Sequence, residues 1–399
     1  MVCRVGMRRL LALGGRKFSL TAFMFGQSDG FYYDFTKTDR HFQEHAGPTL
    51  ADDVGEAMGL ALDQRSWDGQ TLTEVLAAQT EIFSDPGFSS GNGGWYQINA
   101  ATVSVVSGRL RATASGTGTQ SIQIGRVLTG LTAGRTYRVE LPYVAYGGPG
   151  ITGAQGCNIR VRNAANSADL AAVTLATSVG TPVVYFVATA ASHEVRARID
   201  TTSGADTSTY YELDNVSAKL IPGNHGTQST GTMKPTRQAG GAKFDGSDDY
   251  LLTTYYAVSG ANFIAAAISV PATISATQVI AGASGAAANR TFLSLDTSGR
   301  VTAGIGSNFH TGVTDLRGTD LVIAMSYDGS YVRLFAGSAI EKSEAQGSTP
   351  TTTIPYCIGA LNSNGIASNF TAATVKRVVA GREFLTLERF KQIAQQLQS

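Results

Sequence analysis

Three sets of residues in this 399-residue chain have types and spacings that chemistry can use. His41, Glu44 and His45 spell His-x-x-Glu-His, in which two imidazoles one helical turn apart hold zinc and the carboxylate activates water. That arrangement needs a long rigid helix and a further ligand, and Gly47 and Pro48 follow at once, so no metal centre is expected there. Gly87, Phe88, Ser89, Ser90 and Gly91 satisfy Gly-x-Ser-x-Gly, but that serine is a nucleophile only on a strand-to-helix turn, and Asn92, Gly93 and Gly94 continue a loop. Glycoside hydrolysis requires two carboxylates facing each other about 5 to 9.5 Å apart. Glu341 and Glu344, read as a polar loop, and Glu383 and Glu388, near a terminal helix, supply no such pair on one strand. The chain is therefore not expected to be an enzyme.

The third set is suited to contact. Arg160 and Arg162 alternate with Ile159 and Val161, and Arg196 and Arg198 alternate with Val195, Ala197 and Ile199. All four project from the non-core face of their strands if the apolar partners face inward. Planar guanidinium forks suit the carboxylates and sulfates of acidic polysaccharides, and tyrosine faces suit the apolar side of a pyranose, which adds Tyr146 and Tyr185 to the candidates. The competing reading is a solvated strand face on which Glu140, Glu194 and Asp200 pair with the arginines. Trp95 is expected to be a core anchor.

The elements that position these residues are strands. Tyr137, Val139, Leu141 and Tyr143 share one face, with Arg138 and Glu140 on the other, and Leu110 sits between Arg109 and Arg111. Further on, residues 321–325, 331–335, 356–358 and 374–379 are short β-prone runs separated by Asp328-Gly329 and Gly-Ser turns. Two helices interrupt the pattern: a short one at 71–79 with Thr71 as cap, and one at 387–397 with Thr386 as cap and Phe390, Ile393, Ala394 and Leu397 as its buried stripe. A charged fraction of only 15%, with Gly, Ser, Thr and Ala abundant, favours an all-β chain, and its length favours two cores.

The formal net charge of +1 provides no field for gathering nucleic acid, and no stretch is apolar and long enough for membrane insertion. Cys3, Cys157 and Cys357 fit neither a disulfide framework nor a zinc site, consistent with synthesis in a reducing cytoplasm. The boundaries read as a mobile basic arm (1–23), an aromatic segment (24–80), a first sandwich (81–222), a Gly/Thr/Ser/Gln linker (223–240) and a second sandwich (241–399). Phe31, Tyr32, Tyr33, Phe35 and Phe42 make the 24–80 segment apolar yet too small to fold alone, so it is expected to dock on a partner, and its deletion to leave soluble sandwiches.

Residues 81–222 resemble the carbohydrate-binding modules of families 4 and 9 in their phage-borne form. The resemblance is carried by Pro86-Gly87-Phe88 with Trp95, by Leu131-Thr132-Ala133-Gly134-Arg135-Thr136-Tyr137, and by Asp214-Asn215-Val216-Ser217. Residues 241–399 are similar to concanavalin A-like, laminin G-type domains through Phe244-Asp245-Gly246-Ser247-Asp248-Asp249-Tyr250 and the 325–335 hairpin, although Ala265-Ala266-Ala267 stands where such domains often carry a Trp. Residues 24–80 resemble a module at the head of phage particle proteins, ending in Val54-Gly55 and Gly59-Leu60-Ala61-Leu62-Asp63. These resemblances imply two antiparallel β-sandwich (jelly-roll) domains in tandem, behind a small N-terminal anchor and before a short C-terminal helix. They imply a protein on the virion surface that adheres to host-surface polysaccharide, contacts other virion proteins and forms homo-oligomers on the particle. A pure assembly or decoration role and a polysaccharide depolymerase are the alternatives. No cofactor is required, and a structural calcium at Asp214 with Glu81 is the one metal the resemblance suggests.

Overall fold

A computed structural model describes residues 18–25, 29–44, 49–65, 67, 70–256, 260–285, 289–347, 350 and 354–399. The chain is all-β apart from three helices among the described residues, Leu20–Phe25, Leu72–Ala77 and Leu387–Gln398, and one short 3-10 turn.

The period-two residues of the middle region form strands as their pattern requires. Along Ser192–Asp200, Val195, Ala197 and Ile199 are buried while Glu194, Arg196 and Arg198 are less so. This strand is central in a five-stranded sheet ordered Asp169–Thr174, Cys157–Arg162, Ser192–Asp200, Ser121–Thr129, Tyr96–Asn99. A four-stranded sheet (Ala101–Val106, Arg109–Ala114, Tyr210–Leu213, Tyr143–Gly147) and a three-stranded one (Val183–Val187, Thr136–Glu140, Ser217–Ile221) complete the domain. Inward side chains of all three sheets meet in one core, which includes Leu110, Val139, Ile159 and Ala197. Trp95 is buried there and stacks on Phe83 at 5.9 Å.

The last region encloses a second core between an eight-stranded and an eleven-stranded sheet. In the eight-stranded sheet, Asn262–Ser269 is buried on both faces. Ile264, Ala266 and Ile268 point into the sandwich, while Phe263, Ala265 and Ala267 lie under the C-terminal helix with its buried Phe390, Ile393, Ala394 and Leu397. Phe335 and Phe390 stack at 4.6 Å across that contact. The small side chains of Ala265 and Ala267 let the helix sit against the sheet. Thr386 caps the helix by accepting from the Arg389 amide at 3.1 Å.

The structure corrects three expectations about how the chain is divided. Residues 24–80 do not form a separate docking piece, since Gly30–Asp34 is a strand of the eight-stranded sheet, registered from Gly30 opposite Gly381 to Asp34 opposite Arg377. Its aromatics are consumed inside the molecule: Phe31, Tyr33 and Phe35 in the second core, Tyr32 beneath the C-terminal helix, and Phe42 between the sandwiches. Only glycine fits at position 30, where φ is +139° and a Cβ would lie 2.2 Å from the Ala380 carbonyl oxygen. Residues 223–240 are likewise not a linker. Gly226–Thr227 pairs with Leu60–Ala61, and Thr236–Gln238 pairs with Gly241–Lys243. Of the basic arm, residues 1–17 lie outside the described set, and Leu20 is buried against the C-terminal helix, so residues 18–23 are not a mobile tail.

The 24–80 segment and the 222–226 junction together cement the sandwiches. Trp67, Leu62 and Val75 pack on Val183, Tyr185 and Ile221. Beside them the fully buried Asp63 carboxylate accepts from the backbone amides of Tyr32 (2.8 Å), Arg65 (2.9 Å) and Asn224 (2.7 Å). The Asp63 amide donates to His225 Nδ1 at 2.9 Å, so the ring's remaining proton sits on Nε2 and faces the Ile221 carbonyl at 3.1 Å. Burial lowers the His225 imidazole to about 4 and raises the Asp63 carboxyl to about 6.

Candidate functional site: the outer face of the five-stranded sheet

Strand pairing turns the alternating arginines into a grid. Tyr96 is opposite Gly125, Gly125 opposite Arg196, Arg196 opposite Arg160, and Arg160 opposite Ala172. Arg162 is opposite Glu194, and Arg198 lies between Gln123 and Asn158. Directly opposed residues point the same way, so these side chains share one outer face.

Two guanidinium groups opposite each other repel unless they are neutralised. Here each arginine has an acid. Arg160 donates to Asn158 Oδ1 at 2.9 Å and approaches Asp169 at 3.4 Å; Arg162 binds the other Asp169 oxygen at 2.6 Å. Arg196 pairs with Glu194 and reaches Asn166 Oδ1 at 2.8 Å. Arg198 grips Asp200 with two hydrogen bonds of 2.8 and 2.6 Å. Four guanidinium groups thus face three carboxylates. The surface is a lattice of fixed donors and acceptors with little net charge, not the strongly cationic strip that would draw in sulfated or carboxylated chains.

Tyr96 is the residue that sequence reasoning passed over. Gly125 leaves bare backbone in mid-sheet, and a Cβ there would stand 2.5 Å from Ile98 Cδ1 and 3.4 Å from Tyr96 Cζ. Both side chains therefore lean over the glycine, and the Tyr96 hydroxyl donates to Glu194 on the strand beyond. The residue remains 38% exposed. Burial first, and Glu194 second, push its phenol up to about 12, so the ring stays neutral and the hydroxyl stays a donor. A glycine inside a strand often marks a close approach over the backbone, and that was the available signal.

The two tyrosines named from sequence do not join this face. Tyr185 lies on Val183–Val187 in another sheet, is 3% exposed, and packs on Phe42 at 4.8 Å. Burial raises its phenol above the ordinary value, and no sugar can reach the ring. Tyr146 lies on Tyr143–Gly147 opposite Tyr211, half-buried against the core.

Glu81, named with Asp214 as a calcium candidate, has a structural role in the fold. Glu81 Oε1 accepts from the amides of Ile82, Phe83 and Ala218, and Oε2 accepts from the Ser217 hydroxyl. These four bonds staple the domain's entrance to its last strand and give the Glu81 carboxylate a structural role. Among the described residues, the acidic groups close enough to share an ion are Asp52, Asp53 and Glu56, and Asp245, Asp248 and Asp249, neither of which contains Glu81 or Asp214. Asp245 is already a turn residue accepting from the amides of Ser247 (2.8 Å) and Asp248 (3.2 Å).

The hydrolytic motifs resolve in the same way. His41 lies on a strand with its ring buried, donating to the Lys37 carbonyl, while Glu44 is exposed and paired with Lys234; His45 lies outside the described residues. Ser89 and Ser90 are held by Asp85 in a loop that leads into no helix. Glu341 and Glu344 are not in a loop as expected but on the strand Ala339–Ala345, where Glu341 accepts from the amides of Val313 and Thr314 and Glu344 from His310.

No family model and no curated protein sequence matches the chain. Among solved structures it is similar to the CBM40 of the Ruminococcus gnavus IT-sialidase bound to alpha2,3 sialyllactose, at 15% identity over 34% of this chain and 83% of that one, with a TM-score of 0.30. It is also similar to a mutant Trypanosoma rangeli sialidase displaying trans-sialidase activity (13% identity, 44% of this chain, 30% of that one, TM-score 0.34). The binding domain of Botulinum neurotoxin serotype D gives 10% identity over 39% of this chain and 41% of that one, with a TM-score of 0.32. Scores this low transfer no ligand and no residue role to the chain.

Proposed function

We propose that this chain is a glycan-adhesion protein whose middle sandwich holds sugar on the Tyr96 and arginine face, and that it is displayed in many copies on a phage or phage-derived particle. The observation that carries the binding reading is the Tyr96 ring laid over Gly125 beside guanidinium groups already oriented by their carboxylates. An aromatic face takes the C–H side of a pyranose, and pre-aimed Arg, Asn and Gln groups take its hydroxyls without being ordered at the moment of binding. Single sites of this kind are weak, and copies on one particle raise them by avidity. The particle reading is supported by the sequence resemblance of residues 24–80. Because the aromatics of that segment are internal, docking on other virion proteins would use exposed surface elsewhere.

The test is a glycan array probed with the full chain and with Tyr96→Ala. Loss of one stacking platform should weaken binding about tenfold while the melting temperature holds. Equal binding by the two proteins would remove this face from consideration.

A further inference from the structure

The two sheets of the last sandwich bring edge strands together on one side: Asn308–Thr311 of the eleven-stranded sheet and Ala339–Ala345 of the eight-stranded one. Among the described residues each strand pairs only within its own sheet, so side chains make the seam. His310, 4% exposed, is its centre. The ring's Nδ1 lies 2.8 Å from Glu344 Oε2, and its Nε2 lies 3.0 Å from Gln346 Oε1. The Gln346 amide cannot be turned round, because its Nε2 is 2.7 Å from the Ile305 carbonyl, which can only accept. Asn308 Nδ2 donates to the same Gln346 oxygen at 2.9 Å. The ring's Nε2 must therefore donate. On the other side Lys342, at 2.8 Å, and then His310 hold the Glu344 carboxyl below the ordinary carboxylate range, so this partner accepts as well. A neutral imidazole has one N–H and cannot serve two acceptors. The seam as built holds one proton more than a carboxylate and a neutral ring would.

We propose that His310 is a proton-operated latch between the two sheets: with both nitrogens protonated it clamps the edges together, and when the ring gives up a proton the seam loosens. In the deprotonated state a bare lone pair faces an acceptor oxygen in a sheltered place, which is costly. The closed form is the more protonated one, so latching is complete in acid and is lost as the pH rises. The other strands packed on the ring bring no charge to it. Val301–Ile305 has none, and Tyr331–Ala336 turns Val332 and Leu334 inward. Glu341 is taken up by the amides of Val313 and Thr314, and Arg290 lies over Phe309, whose side chain points to the opposite face of the strand. Opening widens an apolar rim that already shows Phe309, 63% exposed, and Val313, 76% exposed.

The test is amide hydrogen exchange on the full chain, corrected for the intrinsic effect of pH, comparing the two edge strands with Asn262–Ser269, which the latch does not touch. In the native protein, edge-strand protection should fall roughly tenfold between about pH 5.5 and about pH 8.5, with the central strand unchanged. Glu344→Gln is the sharp variant: its amide can donate to Nδ1 while Nε2–H still donates to Gln346, so a neutral ring satisfies both sides. The Glu344 side chain is 41% exposed, so the substitution leaves the core alone. Edge protection in this variant should be the same at both pH values. Nitrogen NMR of the native protein should show a proton on each ring nitrogen of His310 at the acid end. Native edge protection that does not change with pH overturns the latch, as does a ring with one bare nitrogen at the acid end. An equal fall in Glu344→Gln assigns the effect to other groups and overturns it too.

Discussion

The strands Ser192–Asp200 and Asn262–Ser269 occupy equivalent central places in their sheets and use opposite chemistry. The first alternates buried and exposed residues and leaves a wet face carrying arginines. The second is buried on both sides, because the C-terminal helix covers the face that water has in the other domain. The middle sandwich therefore has a sheet surface free for recognition, and the last sandwich has spent the corresponding surface on stability.

The comparison can be broken most severely by deleting residues 24–80. With Gly30–Asp34 gone, the last sandwich loses a strand and three core aromatics, and it should not fold; soluble deletion protein with native circular dichroism and protease resistance would contradict the pairing. Ala265→Leu asks whether the helix sits as tightly as the alanines suggest. Overpacking should cost up to about 3 kcal/mol in denaturant unfolding, and a cost near zero would mean the helix contact is loose. The cement between the two regions is tested by pH. The His225 imidazole is held down at about 4 against an ordinary value near 6.5, so the stability gained by keeping it neutral is complete above 6.5 and is lost as the pH falls toward 4. The stability advantage of the native protein over His225→Gln should thus shrink by about 2 kcal/mol between pH 7 and pH 5. An advantage that is the same at both values would show that the ring is not buried as described. The smallest effect is expected for Arg198→Ala on the wet face, within about 0.5 kcal/mol, because its pair with Asp200 is partly exposed. A larger loss there would mean that this face, too, serves stability.

The two strands also show why one domain was easier to read than the other. Alternation survives in sequence, so the inward positions of the middle sandwich, the four arginines on one side and two of the three described helices, with their caps, could be assigned from spacing alone, whereas the short helix Leu20–Phe25 could not. Register is absent from sequence. Nothing in the spacing says that Tyr96 stands opposite Gly125, three strands away from Arg160, so the platform was missed while its neighbours were found. Cover by distant chain is equally hidden: Tyr185 looked outward-facing until Phe42 was seen to sit on it. The 223–240 stretch read as coil because its side chains cannot build a core, yet it is held by backbone pairing to strands more than 160 residues earlier, which composition cannot report.

The pairing of Gly30–Asp34 with Thr374–Gly381 has a bearing on biosynthesis. This strand leaves the ribosome long before its partner, which lies about 340 to 350 residues further along the chain, a delay on the order of tens of seconds at ordinary elongation rates. During that interval Phe31, Tyr33 and Phe35 form an unpaired, aromatic, sticky ribbon. The last domain cannot close until Thr374–Gly381 has emerged to pair with that ribbon.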